Sequence, residues 1–246
     1  MEGPTASVGT SGQIRSLGAS LGLTVAGFIT AILTVLIGVS VLALVGIDIS
    51  QLPVLGTGVS IVLQGAGFGI AVLLFMKVTD NWALIGARIP SWRDLGWTAG
   101  GLVGLMAGYA AIAIVVSLIG VETAENGIVT AGQQNPELVP LLIPLAILVV
   151  GPSEELLFRG AIQGLLRRSF SAAPAILIAS VLFGTAHVFA LLGGGLEGIL
   201  VYISVTIVLG AILGIIYEYT NNIVVPSLVH GIYNAILFTA LYVQVA

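Results

Sequence analysis

Apolar residues in this chain run in long blocks separated by short polar, glycine- or proline-bearing joints. A block of about 20 mainly apolar residues, rising ~1.5 Å per residue as a helix, crosses the ~30 Å hydrocarbon layer of a bilayer. The blocks at 18–47, 54–78, 96–120, 138–167, 172–192, 196–217 and 223–244 therefore predict seven transmembrane helices. The fourth contains Pro140, Pro144 and Pro152, and Ser153 could cap a fresh helix with Glu154 and Glu155 in its first turn. A division there would make eight. Residues 1–16 read as a flexible polar tail, and 17–246 as a single transmembrane domain whose polar intramembrane groups lie in the part from about 138 to 246. The expected fold is an all-α polytopic membrane protein, a bundle of seven or eight helices around an intramembrane polar cavity.

Composition supports lipid as the surrounding solvent. Only 7% of the 246 residues are charged and 58% are hydrophobic, against roughly 25% charged in a soluble domain. The chain has no cysteine, so it holds neither disulfides nor thiolate metal sites. Seven basic residues with no clustered patch give no footprint for nucleic acid. With seven spans and a cytoplasmic N-terminus, Arg15, Lys77, Arg88, Arg93, Arg167 and Arg168 all fall on the inner side. Asp48, Glu122, Glu125, Glu137 and Glu197 fall outside with no Lys or Arg. This satisfies the positive-inside rule and sets the expected orientation in the cell membrane, with the C-terminus outside. Trp82, Trp92 and Trp97 read as interfacial anchors, Gly193–Gly195 as a tight outer turn, and Glu218 as a solvated residue at the inner mouth of the sixth span.

Ionisable groups inside a span are costly unless they face the protein interior and find partners. Here they are Glu154, Glu155, Arg159 and the only two histidines, His187 and His230; Asn234 follows His230 at i+4 on the same helical face. Glu154 lies 14 residues before the end of its span near Arg168, and His187 lies 15 residues into the next. The two therefore sit at similar depth, about 21–22 Å from the shared turn. His230 and Asn234 enter from the same side, so all four can reach one inward-opening cavity. Glu155 precedes Arg159 by four residues, the favourable order for a helical salt bridge. That leaves Glu154 without a local cation, in an apolar setting that raises a carboxyl pKa toward the range of a useful base. Taken singly, each histidine or Asn234 could be an interhelical hydrogen bond, the Glu155–Arg159 pair could be structural, and Phe183 is a packing residue.

Three local patterns occur in order: Glu154-Glu155-Leu156-Leu157-Phe158-Arg159 (EExxxR), Phe183-Gly184-Thr185-Ala186-His187 (FxxxH) and His230-Gly231-Ile232-Tyr233-Asn234 (HxxxN). Together they resemble the CPBP family of intramembrane proteases, also called the Abi or CAAX-protease family, over about residues 150–235. The resemblance implies that Glu154 and His187 activate a water, that His230 and Asn234 stabilise the oxyanion or help hold a metal, and that Glu155, Arg159 and Phe183 support the site. It implies membrane lipid as the surroundings and a membrane-associated or prenylated peptide as substrate. Family names often include "metalloprotease", and Glu154, His187 and His230 could ligate zinc as a His₂Glu set. No HExxH pair is present, so a glutamate-activated water without obligatory metal is the preferred expectation.

Two other classes fit parts of the pattern. Intramembrane Glu and His also build proton or ion pathways in transporters, although no inverted repeat is present. A non-catalytic scaffold or immunity protein would keep the fold without using the site.

Overall fold

The computed structural model describes residues 9–193 and 195–246, so residues 1–8 of the expected tail and Gly194 of the expected outer turn lie outside the described residues. Among the described residues, seven helices are long and apolar enough to cross a membrane. They are α1 (Thr10–Leu44), α2 (Pro53–Thr79), α3 (Trp92–Ile119), α5 (Pro136–Leu166), α6 (Ala172–Ala190, its last turn from His187 being 3-10), α7 (Leu196–Thr220) and α8 (Val224–Val245). A short helix, α4 (Gly127–Gln134), follows α3. Two-residue strands β1 (Glu125–Asn126) and β2 (Leu191–Leu192) pair antiparallel. The chain is an all-α polytopic membrane protein.

The helix limits differ from the hydropathy reading in two places. Helix α1 starts at Thr10, so residues 10–16 are helical rather than part of a tail. Ser16 is buried and its hydroxyl meets that of Ser169 at 2.7 Å, which ties this polar turn to the end of α5. Helix α3 starts at Trp92, four residues before the apolar block. Ser91 and Asp94 form a reciprocal capping box there, and that closes the first-turn N–H groups.

Helix α5 does not divide. Val150 and Gly151 keep right-handed helical angles, and Ser153 bonds back to the Val150 carbonyl at 3.3 Å instead of capping a new helix. The prolines are absorbed by widening. A proline lacks its N–H and its ring presses on the carbonyl four residues back. The backbone relaxes into π-turns at Ala146–Val150 and Leu156–Gln163, one after Pro144 and one after Pro152. Glu154 and Glu155 stand between the two widened stretches.

The share of each span buried inside the protein ranks the helices: 6% for α3, 11% for α1, and 50% for α8. Helices α1 and α3 therefore present apolar side chains such as Leu36, Val41, Ile114 and Leu118 to lipid, and α8 is enclosed. One core cluster joins α1, α2, α5 and α6 through Leu23, Phe68, Val72, Leu157, Phe158 and Phe183. A second joins α3, α7 and α8 through Leu105, Leu213, Ile216, Val225, Val229 and Tyr233. The seam between them runs along the contact of α5 with α8. There Gly151 lies against the Ser227 carbonyl and Gly231, and Gly231 against Ile147; a Cβ on either glycine would come within 2.6–2.7 Å of backbone. Without hydrocarbon-excluding force between helices, such small residues permit the backbone approach that holds them together.

Lys77, Arg88, Arg93, Arg167 and Arg168 mark one end of the bundle, the basic end, where the chain passes from α2 to α3 and from α5 to α6. The α2–α3 connection is folded across this end as a strap. Gly86 N–H donates to the Tyr217 hydroxyl oxygen at 3.1 Å, and the Gly86 carbonyl accepts from Ile223 N–H at 2.7 Å. The Arg88 N–H meets Asn222 Oδ1 at 3.1 Å, and the Arg88 guanidinium grips Asp94 with both terminal nitrogens. Ile85 and Leu84 press on Gly160 and Gly164 of α5. Glu218 is not a free solvated residue: its carboxylate accepts from Arg167 Nε at 2.8 Å. Trp82 and Trp92 are exposed as anchors would be, while Trp97 stacks on Tyr219 at 5.2 Å.

Candidate active site

The approach of Gly151 to Gly231 brings their neighbours together. Glu155, one turn after Gly151, reaches His230, the residue before Gly231. His230 Nδ1 lies 2.8 Å from Glu155 Oε1. The same oxygen accepts from Arg159 Nη1 at 2.8 Å. Glu155 and Arg159 are 0% and 1% exposed, so this is an ion pair inside the protein rather than at its surface. Arg159 spends a second nitrogen on the Gly210 carbonyl of α7 at 2.9 Å, and its guanidinium sits 4.3 Å over the Phe183 ring. Gly210 is needed for this: a Cβ there would lie 3.0 Å from Arg159 Nη2 and 3.0 Å from Phe183 Cδ1.

Phe183 is the packing centre. Its ring lies 4.6 Å from that of His187, 5.9 Å from that of His230 and 5.1 Å from Phe158, all edge-on. His187 is placed by the way α6 ends. The α-helix stops at Ala186, and the His187 N–H turns to Gly184 and Thr185 in a 3-10 bond. The Phe183 carbonyl, one of the four at a helix end without an N–H four residues on, is taken by His187 Nδ1 at 2.8 Å. A carbonyl only accepts, so Nδ1 carries the hydrogen and Nε2 of neutral His187 presents its lone pair. The carboxylate of Glu155 orders His230 in the same way, leaving its Nε2 toward the remaining space.

Glu154 stands apart from this network. It is partly accessible, and its buried Oε2 has no hydrogen-bond partner. The neighbouring acid engages Arg159 and His230 through Oε1, its Oε2 being unpartnered as well, whereas Glu154 engages neither residue. Asn234 is partly accessible, one turn beyond His230 on α8. The local Glu155–Arg159 spacing is realised as a contact, and sequence reasoning missed its third member, His230. No local pattern reports that contact, because it depends on how closely two helices 75 residues apart approach. The second missed partner is the Gly210 carbonyl.

Two cavities lie away from the cluster of Glu154, His187, His230 and Asn234. The cavity at the basic end, about 380 Å³, is lined by Gln163, Arg167, Arg168, Tyr217, Glu218 and the strap, and by none of those four residues. Another, about 530 Å³, lies between α1 and α2 near Asp48 and Gln64. Among the described residues no group of three or more His, Asp or Glu side chains is gathered closely enough to hold a metal ion.

Fold and site together define a polytopic α-helical membrane protein with a buried Glu–Arg–His network beside an uncommitted glutamate. Residues 136–236, which contain all of these groups, match the family model described as type II CAAX prenyl endopeptidase Rce1-like. This part of the chain is thus similar to the CAAX-protease family of membrane proteases. No curated protein and no solved structure matches the chain.

Proposed function

We propose that the chain is an intramembrane endopeptidase that hydrolyses a peptide bond near the cytoplasmic membrane face, in a lipidated CAAX-type or other membrane-associated C-terminal segment. One observation carries the reading: of two adjacent glutamates, Glu155 is buried and its Oε1 accepts from Arg159 and meets His230, while Glu154 is partly accessible and engages neither of them.

Hydrolysis needs a water made nucleophilic and donors aimed at the developing oxyanion. Glu154 and His187 Nε2 hold the water, and Glu154 takes its proton as the oxygen adds to the peptide carbonyl. Asn234 Nδ2–H and, in its cationic form, His230 Nε2–H stabilise the tetrahedral oxyanion. Glu155 orients His230 and offsets that charge. The C–N bond then breaks, and the proton held by Glu154 passes to the leaving amine. No step is routed through a metal.

The basic end of the bundle faces the cytoplasm in this proposal, as the distribution of Lys and Arg favours. The test is cleavage of a farnesylated CAAX peptide and its unmodified counterpart by purified protein, with and without a chelator. Cleavage that prefers the lipidated peptide, survives chelation and disappears in Glu154→Gln with unchanged folding is expected. An active Glu154→Gln enzyme would sink the assignment.

A further inference from the structure

Asn126 and Tyr202 lie outside all three sequence patterns, yet they are locked together beside the site. Asn126 caps α4: its Oδ1 accepts from Ile128 N–H at 3.0 Å. This fixes the side chain so that Nδ2 points away from the helix, and Nδ2 donates to the Tyr202 hydroxyl oxygen at 2.7 Å. Asn126 is also paired through its backbone with Leu191, which directly follows the 3-10 turn begun by His187. One residue thus joins the segment leaving His187 to the tyrosine on α7.

Helices α5 and α7 run in parallel with a constant offset. Arg159 reaches Gly210, Gln163 reaches Gly214 and Arg167 reaches Glu218, each 51 positions on. From Gly210, Tyr202 is two turns toward the N-terminal end of α7, ~12 Å along the axis. From Arg159, Glu154 is five residues in the same direction on α5, ~7–8 Å. Tyr202 therefore emerges just beyond Glu154, and its hydroxyl lies within electrostatic range of that carboxylate. Among the described residues it makes no direct hydrogen bond to Glu154. The Tyr202 oxygen is engaged by Asn126, and among the described residues its own hydrogen is given to no acceptor.

A hydroxyl whose oxygen is held by Asn126, at the level of the candidate base and with no acceptor among the described residues, is a donor awaiting an acceptor. We infer that Tyr202 donates to a main-chain carbonyl of the bound peptide, next to the bond that Glu154 and its water attack, and that Asn126 sets the direction of that donation. Tyr202 is then a substrate-positioning residue and Asn126 acts through it. The inference rests on the protease reading above.

The test is steady-state cleavage by Tyr202→Phe, Asn126→Ala and the double variant, beside Glu154→Gln. Tyr202→Phe keeps the ring and removes the donor, so KM should rise about fivefold, the effect of one neutral hydrogen bond, with kcat within about twofold. Asn126→Ala should raise KM less, and the double variant should match Tyr202→Phe alone, because Asn126 has nothing to orient once the hydroxyl is gone. Both Tyr202→Phe and Asn126→Ala lose the bond between them, so both should lower the unfolding midpoint slightly, and a raised KM with kcat held is the readout that a purely structural staple would not give. Unchanged KM in Tyr202→Phe, or effects of the two substitutions that multiply independently, overturns the inference while a dead Glu154→Gln leaves the protease reading standing. An active Glu154→Gln removes the reading itself.

Discussion

His230 meets Glu155 at 2.8 Å across the closest approach of α5 to α8, on the same carboxylate oxygen that accepts from Arg159. One acid thereby joins the structural ion pair and the candidate chemistry, and its removal has two separable effects. Glu155→Ala strands the guanidinium of Arg159 at 1% exposure. Breaking a buried pair on one side costs about 3–5 kcal/mol. Unfolding in detergent should show a loss of that size, with a smaller one for Glu155→Gln, which keeps a hydrogen-bond acceptor. Replacing both partners, as in Glu155→Leu with Arg159→Met, should recover much of the stability and none of the cleavage, since His230 stays unoriented. Recovery of activity in the double variant would show that His230 needs no carboxylate.

The Arg159 head is seated by the lack of a side chain at Gly210, which yields a second prediction. A methyl group there meets the guanidinium and the Phe183 ring at 3.0 Å each. Overpacking of this kind costs about 1–3 kcal/mol. Gly210→Ala should lower the unfolding midpoint and reduce kcat, because Arg159, Glu155 and His230 move as a unit. Gly22→Ala, where a Cβ meets nothing within 4 Å, is the control and should be neutral or stabilising. Equal behaviour of the two variants would remove the packing argument.

The spans themselves were legible in the sequence because lipid-facing helices need only be apolar, and hydropathy reads that directly. Their limits were less so. Thr10 through Ser16 are helical because they pack on the α5–α6 turn, and Trp92 opens α3 because Ser91 and Asp94 close its first turn. The continuity of α5 through Pro152 was hidden: Ser153 reads as a cap, and only the backbone shows that widening takes up the proline. In the candidate site, the pairing of Glu155 with Arg159 was readable from a four-residue spacing. Its contact with His230 was not, and neither was the bond from Asn126 to Tyr202, because both depend on glycine-mediated or loop-mediated contact between distant segments. Periodicity within one helix carries no information about such approach.

Among the described residues seven spans put the start of α1 and the end of α8 on opposite sides, and the clustering of Lys77, Arg88, Arg93, Arg167 and Arg168 at one end predicts that this end faces the cytoplasm. The chain has no cysteine, so single substitutions give unambiguous labels. Ser171 and Ala246 are both exposed, at opposite ends of the bundle. A membrane-impermeant maleimide applied to intact cells should label Ala246→Cys and leave Ser171→Cys unmodified until the membrane is opened. The reverse pattern would put the basic end outside and move the proposed cleavage to the other face.

If the basic end faces the cytoplasm, a peptide arriving from that side encounters the strap formed by the α2–α3 connection. Leu84 and Ile85 lie on Gly164 and Gly160 of α5, and Gly86 is bonded to Tyr217 and Ile223. The strap has to move for such a peptide to reach Glu154. A Cβ at Gly164 would lie 3.4 Å from Leu84 Cβ, and disulfide-linked Cβ atoms are about 3.5–4.5 Å apart. The double substitution Leu84→Cys and Gly164→Cys should therefore form a bridge in a chain that has no other thiol. The oxidised protein should cleave at least about tenfold more slowly, a barrier change of about 1.4 kcal/mol or more, and reductant should restore the rate. Each single-cysteine variant should be insensitive to the redox state. Full activity of the bridged protein would mean that substrate enters sideways from the bilayer, past the strap rather than beneath it.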